Sequence, residues 1–189
     1  MRTWPAHLIG GLWLLWLLYW LFAALRTKPT REREPIWGRL AFLLSALIVA
    51  VLLAGRRWHS VLNLPLVGGG WIRYWIAFAL VVAGLGFSIW ARAVLADNWS
   101  GWVTVKQGHE LIQSGPYRRI RHPIYTGVLL AILGSGLAAG QLRGLVALVI
   151  TFIAIWLKLR TEERVMQREF GERYTVYKAA SWALIPYVL

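Results

Sequence analysis

Long apolar blocks separated by short polar segments form the main pattern of this chain. Three of the blocks have the length of a membrane-crossing helix, which needs about 20 apolar residues: residues 4–25, 37–55 and 71–95. Two shorter apolar runs, residues 124–140 and 142–157, follow a polar stretch and meet at a Gly-rich turn. The pattern predicts an all-α, polytopic integral membrane protein with about five transmembrane helices, of which the fourth and fifth form a short hairpin. The first block is longer than the apolar core of a signal peptide, so we expect a retained helix.

The region after the hairpin has a different pattern. From residue 158 to residue 177, apolar side chains recur at helical spacing among charged ones. These apolar residues are Leu159, Met166, Phe170, Tyr174 and Tyr177. We therefore expect a cytosolic, amphipathic C-terminal helix that leaves the membrane at Lys158 and breaks at Gly171.

Small residues recur every four positions in the predicted fourth helix. The first row consists of Gly127, Ala131, Ser135 and Ala139. A second row, which continues into the turn, consists of Gly136, Gly140 and Gly144. Small residues let the backbones of membrane helices approach closely, so we expect this face to pack against a neighbouring helix.

Composition and charge agree with a membrane protein. The chain has 58% hydrophobic residues, 13 Trp and no Cys, so thiolate nucleophiles and Cys-ligated metals are excluded. The net charge of +13 comes from Lys and Arg spread over the loops, which is typical of contact with anionic membrane lipids rather than nucleic acid. Most of these cations fall on one side of a five-helix arrangement. This distribution predicts an N-terminus outside and places the central polar segment and the C-terminus in the cytoplasm.

The polar segment at residues 109–127 carries the candidate chemistry. His122 directly precedes Pro123, which favours an extended backbone at His122 and suits the first turn of a helix. Ionisable and aromatic side chains would then surround a helix N-terminus, whose free N–H groups favour a carboxylate or phosphate. In the tail, Glu162 and Glu163 diverge by about 100° around a helix. We therefore expect only Glu162 to point into a site shared with the polar segment.

Other interpretations of these residues are less favoured. Arg118, Arg119 and Glu163 are typical of a solvated, ion-paired surface. His109 and His122 lack a third ligand at a recognisable spacing, so we expect no metal. The chain has no Gly-x-Ser-x-Gly motif, which argues against a serine hydrolase.

Residues 115–127, GPYRRIRHPIYTG, resemble the Gly-x-Tyr-x-x-x-Arg-His-Pro-x-Tyr-x-Gly signature of the isoprenylcysteine carboxyl methyltransferase family, which is related to phospholipid methyltransferases. Residues 109–112, HELI, are similar to that family's His-x-Leu-Val lead-in. Residues 162–174, EERVMQREFGERY, are similar to its Glu-Glu…Phe-Gly-x-x-Tyr tail. The resemblance covers roughly residues 98–177, with the motifs in the family's order and spacing.

The resemblance implies an integral-membrane methyltransferase that uses S-adenosyl-L-methionine and releases S-adenosylhomocysteine. The cofactor-binding residues that it implies are His109, Glu110, Leu111, Ile112, Tyr117, His122, Pro123, Ile124, Tyr125 and Glu162. In that family a basic residue four positions before the tail Glu contacts the substrate, and here this residue is Lys158. Arg160 is the alternative, and both join Glu162 in the expected catalytic set. Residues 1–97 would then form a three-helix membrane region and residues 98–189 the cofactor-binding catalytic region of a single domain.

The resemblance leaves the acceptor open. A carboxylate acceptor is already ionised at neutral pH, so Lys158 or Arg160 would only orient it. A lipid amine must lose a proton, which would make Glu162 or His122 a candidate base. We expect a lipidic or prenylated acceptor, methylated at a carboxylate, in a prokaryotic cell membrane. The alternatives are a phospholipid (ethanolamine) N-methyltransferase, an NADPH-dependent sterol-reductase-like membrane enzyme and a non-enzymatic membrane scaffold.

Overall fold

Helices make up most of the described part of the chain. The computed structural model describes residues 4–24, 36–55, 61–96 and 111–188. Its helices are α1 (Trp4–Ala24), α2 (Ile36–Ala54), α3 (Trp71–Leu95), α4 (Pro123–Ala139), α5 (Leu142–Phe170) and α6 (Glu172–Ala179). Two short 3-10 turns, Val61–Asn63 and Gly115–Arg118, lie in the connections. These described ranges contain no strand, and the all-α prediction is confirmed.

Four of the helices, α1, α2, α3 and α5, are long and apolar enough to cross a membrane. The fifth, α4, is a shorter apolar helix of 17 residues. At 1.5 Å per residue it spans about 26 Å, slightly less than the roughly 30 Å hydrocarbon core of a bilayer. Many large apolar side chains of α1 and α2 remain exposed, as expected for a surface that faces lipid. The prediction of a polytopic membrane protein is confirmed.

The long helix α5 corrects one boundary. The sequence pattern separated a membrane run that ends at residue 157 from an amphipathic helix that begins at Lys158, whereas α5 continues unbroken to Phe170. No Gly or Pro occurs between Gly144 and Gly171, so helical hydrogen bonding continues past the change in polarity. The helix ends at the expected Gly171, which has a φ of 53°, and α6 follows at once. The apolar stripe is buried or half-buried at each position: Leu159, Met166, Phe170, Tyr174 and Tyr177.

Helices α3 and α4 cross so closely that glycine is required on both. A Cβ atom at Gly84 would lie 2.5 Å from the carbonyl oxygen of Gly127. A Cβ atom at Gly127 would lie 2.5 Å from the carbonyl oxygen of Gly84. Ala131 and Ser135, one and two turns further along α4, are also buried. The predicted close packing of this small-residue row is confirmed.

The α4–α5 hairpin turns at Gly140, which has a left-handed φ of 63°. Gly136 and Gly144 face each other across the turn, where a Cβ atom at Gly144 would lie 2.6 Å from the Gly136 carbonyl oxygen. The connector after α2 covers the turn, because Leu66 N donates to Gly140 O at 3.0 Å. The predicted hairpin is confirmed, and it places the start of α4 beside the second half of α5.

The remaining two membrane helices pack against different helices of this centre. Trp13 Nε1 of α1 donates to Ser135 Oγ of α4 at 3.0 Å, and Trp16 Nε1 donates to Ser88 Oγ of α3 at 2.7 Å. These bonds fix α1 to α3 and α4 and satisfy indole N–H groups that lipid would leave unpaired. The second helix, α2, packs against α5.

Candidate functional site

His122 lies between two carboxylates at the start of α4. It is the N-cap residue of this helix and Pro123 opens the helix, as the sequence predicts. His122 Nδ1 is 3.4 Å from Glu162 Oε2 and His122 Nε2 is 3.5 Å from Glu163 Oε1. The expectation that only one glutamate points into the site is therefore wrong. The two side chains diverge around α5, but the imidazole ring lies between them and presents one nitrogen to each.

Tyr125 joins the same group from the first turn of α4. Its hydroxyl donates a hydrogen bond of 2.5 Å to Glu162 Oε1. Its ring stacks on the imidazole of His122, with centroids 5.8 Å apart. Residues three positions apart lie on the same face of a helix, so the His-Pro-Ile-Tyr spacing directs both side chains at one carboxylate.

The carboxylates control the charge of His122. Burial on its own would lower the pKa of the imidazole, but the close contacts and negative charges of Glu162 and Glu163 outweigh burial. The pKa of His122 therefore lies above its ordinary value of 6.5, because the two carboxylates favour the protonated form of the ring. Arg121 and Lys178 also pair with Glu163, each at 2.8 Å. The pairs satisfy buried charges that would otherwise be costly.

Tyr117 is a buried phenol in the Gly115–Arg118 turn. Its carbonyl oxygen accepts a hydrogen bond of 2.6 Å from the Tyr177 hydroxyl of α6. Burial, followed by the nearby charge of Glu162, raises the pKa of Tyr117 well above its usual range. Burial likewise raises the pKa of Tyr177 to about 12. Both phenols are therefore neutral at physiological pH and act by packing and hydrogen bonding, not as bases.

The two candidate substrate cations lie on different faces of α5. Lys158 is buried, with 8% of the residue exposed, and its Nζ lies 4.2 Å from the ring centroid of Phe42 in α2. Arg160 is exposed, and its guanidinium carbon lies 5.4 Å from the ring centroid of Trp156. Lys158 precedes Glu162 by four residues and so shares its face of the helix. The geometry favours Lys158 as the cation that belongs to the site.

The structure brings together part of the predicted residue set. His109 and Glu110 lie outside the described residues. Four further predicted residues are buried or half-buried, and the last two of them open α4: Leu111, Ile112, Pro123 and Ile124. The predicted residues that surround Glu162 are Tyr117, His122, Tyr125 and Lys158. Within the ranges that the structure describes, no group of three His, Cys, Asp or Glu side chains is placed to hold a metal ion.

Sequence reasoning missed a segment that lies across the start of α4. Residues 181–184, named the return segment here, follow α6 and turn back towards the site. Trp182 N donates to Arg119 O at 2.9 Å, and His122 N donates to Ala183 O at 3.0 Å. The last side chain of the segment is completely buried against α5. A short apolar run after the charged α6 is the signal in the sequence that points to this segment.

The cluster of His122, Tyr125 and Glu162 lies within the residues that match a protein-family model. The family model for phospholipid methyltransferases matches residues 72–173, slightly more than half of the chain. The chain belongs to the phospholipid methyltransferase family. Membership makes it a membrane methyltransferase, and the predicted relationship to this family is confirmed. The matched residues run from α3 to the start of α6 and include the two glutamates and His122.

Two metal-resistance proteins are among the relatives of this member of the phospholipid methyltransferase family. The chain is 27% identical over 169 residues to the cobalt-zinc-cadmium resistance protein CzcN of Cupriavidus metallidurans, a match that covers 88% of this chain and 69% of CzcN. It is 25% identical over 146 residues to the nickel-cobalt-cadmium resistance protein NccN of Alcaligenes xylosoxydans xylosoxydans. That match covers 76% of this chain and 60% of NccN.

A solved structure shares the fold. The chain is similar to the eukaryotic intramembrane Ras methyltransferase ICMT (isoprenylcysteine carboxyl methyltransferase), with a TM-score of 0.54 and 19% identity. The match covers 84% of this chain and 55% of the ICMT chain, so this chain spans about half the length of that protein. The similarity establishes a common helical arrangement for these membrane methyltransferases.

Proposed function

We propose that this chain transfers a methyl group from S-adenosyl-L-methionine to a lipidic acceptor, at a carboxylate, and releases S-adenosylhomocysteine. The observation that carries the proposal is the half-buried cluster of His122, Tyr125 and Glu162 where the start of α4 meets α5. A buried cation, Lys158, lies one helical turn from Glu162 along α5. The family supports the reaction class, and this cluster supports the proposed location, because its polar side chains lie where α4 and α5 meet.

The side chains of the cluster fit the chemistry of S-adenosylmethionine. Glu162 offers an acceptor for an ammonium group, and the N-terminus of α4 behind Pro123 offers free N–H groups for a carboxylate. Tyr117, His122 and Tyr125 offer aromatic surfaces and donors for the adenosine part. When bound, the cofactor supplies an electrophilic methyl group on a sulfonium. These residues bind and orient it and exclude water.

Lys158 supports an acidic acceptor. A carboxylate is ionised at neutral pH and needs orientation rather than a base. The ammonium group of Lys158 lies over the Phe42 ring, at the boundary between α5 and the largely lipid-exposed α2. An acceptor with a lipid chain could therefore approach sideways through the bilayer while its carboxylate meets Lys158. The proposed membrane is a prokaryotic cell membrane with the site on the cytoplasmic face, and the distribution of Lys and Arg supports this orientation.

A phospholipid amine is the second candidate acceptor, and the description of the family favours it. An ammonium headgroup must lose a proton before it can attack a methyl group. His122 is disfavoured as the base because the two carboxylates raise its pKa and favour its protonated form. Glu162 would therefore take the proton in that reaction.

Calorimetric titration of the purified protein with S-adenosylhomocysteine, and separately with NADPH, tests the cofactor. We expect binding of S-adenosylhomocysteine and none of NADPH. Binding of NADPH alone would indicate a sterol-reductase-like enzyme, and binding of neither would indicate a membrane scaffold.

Transfer of labelled methyl groups to lipid vesicles tests the acceptor. One set of vesicles contains a prenylated cysteine with a free carboxylate, and the other contains phosphatidylethanolamine. Label on the prenylated cysteine supports the carboxylate proposal. Label on phosphatidylethanolamine alone replaces it with amine methylation.

A further inference from the structure

Glu163 connects three parts of the protein that are distant in sequence. Its carboxylate pairs with Arg121 before α4 and with Lys178 of α6, each at 2.8 Å. The side chains of Glu163 and Arg121 are 12% and 8% exposed, so solvent screens this pair weakly. The pair is therefore stronger than an ordinary surface salt bridge.

Arg121 extends this connection to the return segment. While its Nε binds Glu163, its Nη1 donates to the carbonyl oxygens of Ser181 and Lys178, where α6 ends. Its backbone N–H also donates to the Trp182 carbonyl at 2.8 Å. A guanidinium group can make several bonds in a fixed geometry, which a lysine ammonium in the same place could not reproduce.

The return segment in turn holds the start of α4. His122 N donates to Ala183 O at 3.0 Å, and Thr126 Oγ1 donates to Leu184 O at 2.7 Å. Leu184 is completely buried with Ile155 of α5. The backbone of His122 thus depends on the return segment, whereas its side chain depends on the two glutamates.

We propose that Glu163 is a positioning residue, which through Arg121 fastens the return segment over the start of α4 and so keeps the bound cofactor in place. Its carboxylate acts through Arg121 and His122, without touching the cofactor itself. The inference rests on the proposed function, because it assigns the cofactor to the cluster around Glu162. Glu163 would then have a role distinct from that of Glu162, which binds the cofactor in the proposed function.

Amide hydrogen exchange, measured without any cofactor, tests whether Glu163 holds the return segment against the start of α4. In Glu163→Gln, which removes the charge but keeps the shape, we expect amides of residues 119–122 and 182–184 to exchange at least about tenfold faster. Amides at the α3–α4 crossing should keep their wild-type rates. Unchanged exchange in the return segment would overturn the proposal.

Dissociation of S-adenosylhomocysteine tests the consequence for binding. We expect Glu163→Gln to release it at least about tenfold faster, while its association rate changes little. Faster exchange combined with an unchanged dissociation rate would overturn the positioning role. If the wild-type protein does not bind S-adenosylhomocysteine, the proposed function fails, and the exchange rates still decide whether Glu163 fastens the segment.

Thr126→Val provides a second variant that changes no charge. It removes the bond from Thr126 Oγ1 to Leu184 with almost no change in shape, so we expect faster exchange at residues 182–184 and faster dissociation of S-adenosylhomocysteine. Thr151→Val is the matched control, because Thr151 Oγ1 bonds only its own helix in the described contacts, at Ala147 O. Equal effects of the two substitutions would contradict the proposal.

Discussion

The hydroxyl of Tyr125 donates to Glu162 Oε1 at 2.5 Å, although the two residues are 37 positions apart in sequence. The bond joins the first turn of α4 to α5 at the open end of the hairpin. It depends on the turn at Gly140, which makes the two helices antiparallel neighbours. A contact at the proposed site is therefore a direct consequence of close helix packing at the other end of the hairpin.

Tyr125→Phe removes this hydrogen bond and leaves the ring in place. A hydrogen bond to a charged group contributes about 1.5–3 kcal/mol, so we expect S-adenosylhomocysteine to bind about tenfold or more weakly. Calorimetric titration measures the change. Tyr74→Phe is the control, because Tyr74 lies near the start of α3, away from the cluster, and contacts Arg73. Wild-type affinity in Tyr125→Phe would exclude the hydroxyl from the site.

Hydropathy and short-range sequence rules account for most of the fold. The lengths of the apolar blocks predict the bounds of α1 to α4 and the start of α5 within a few residues, and the glycine at position 140 predicts the hairpin turn. His122 and Pro123 take the expected N-cap and first helical positions because their preferences are local. Each of these features depends on residues that are neighbours along the chain.

Two of the features that the sequence did not predict are long-range contacts. The return segment binds the start of α4 mainly through backbone groups, and any sequence carries these groups. Glu163 joins the site because an imidazole ring can contact two carboxylates at once, which helical angles alone do not reveal. The third feature is local: α5 continues past the predicted boundary at Lys158, because a change in polarity does not interrupt the backbone hydrogen bonds of a helix.

Gly84→Ala is expected to destabilise the protein. The added Cβ would lie 2.5 Å from the carbonyl oxygen of Gly127, and backbone on both helices must move to relieve the overlap. Overpacking of this kind costs about 1–3 kcal/mol, which should lower the melting temperature in detergent. Gly86→Ala is the matched control on the same helix, since its Cβ would meet no atom within 4 Å. This control should melt at or slightly above the wild-type temperature, because Ala favours helix over Gly.

The stability of the protein should depend on the protonation of His122. The raised pKa means that the charged ring is favoured by the folded state, mainly through Glu162 and Glu163, with Tyr125, Arg121 and Lys178 beside them. This contribution is fully present below about pH 6.5, the pKa of the unfolded chain, and is lost as pH rises through the higher pKa of the folded state.

Melting temperatures between about pH 6 and pH 9 measure this dependence. We expect them to fall with rising pH in the wild type and to fall less steeply in His122→Gln. His7→Gln, at an exposed position on α1, should keep the wild-type slope. A wild-type slope in His122→Gln would show that another group titrates in this range.

Lys158→Met distinguishes an effect on acceptor binding from an effect on cofactor binding. The substitution keeps an unbranched apolar chain under Phe42 but removes the ammonium group, so an acidic acceptor loses its partner. We expect the KM for a carboxylate acceptor to rise about tenfold or more, with a smaller change in the affinity for S-adenosylhomocysteine. Methyl transfer to prenylated cysteine in vesicles gives the first quantity, and calorimetry gives the second. Arg160→Gln tests which of the two cations binds the acceptor. Because Arg160 is exposed on another face of α5, we expect this substitution to raise the KM less than Lys158→Met does. A larger increase in the KM than that of Lys158→Met would assign acceptor binding to Arg160.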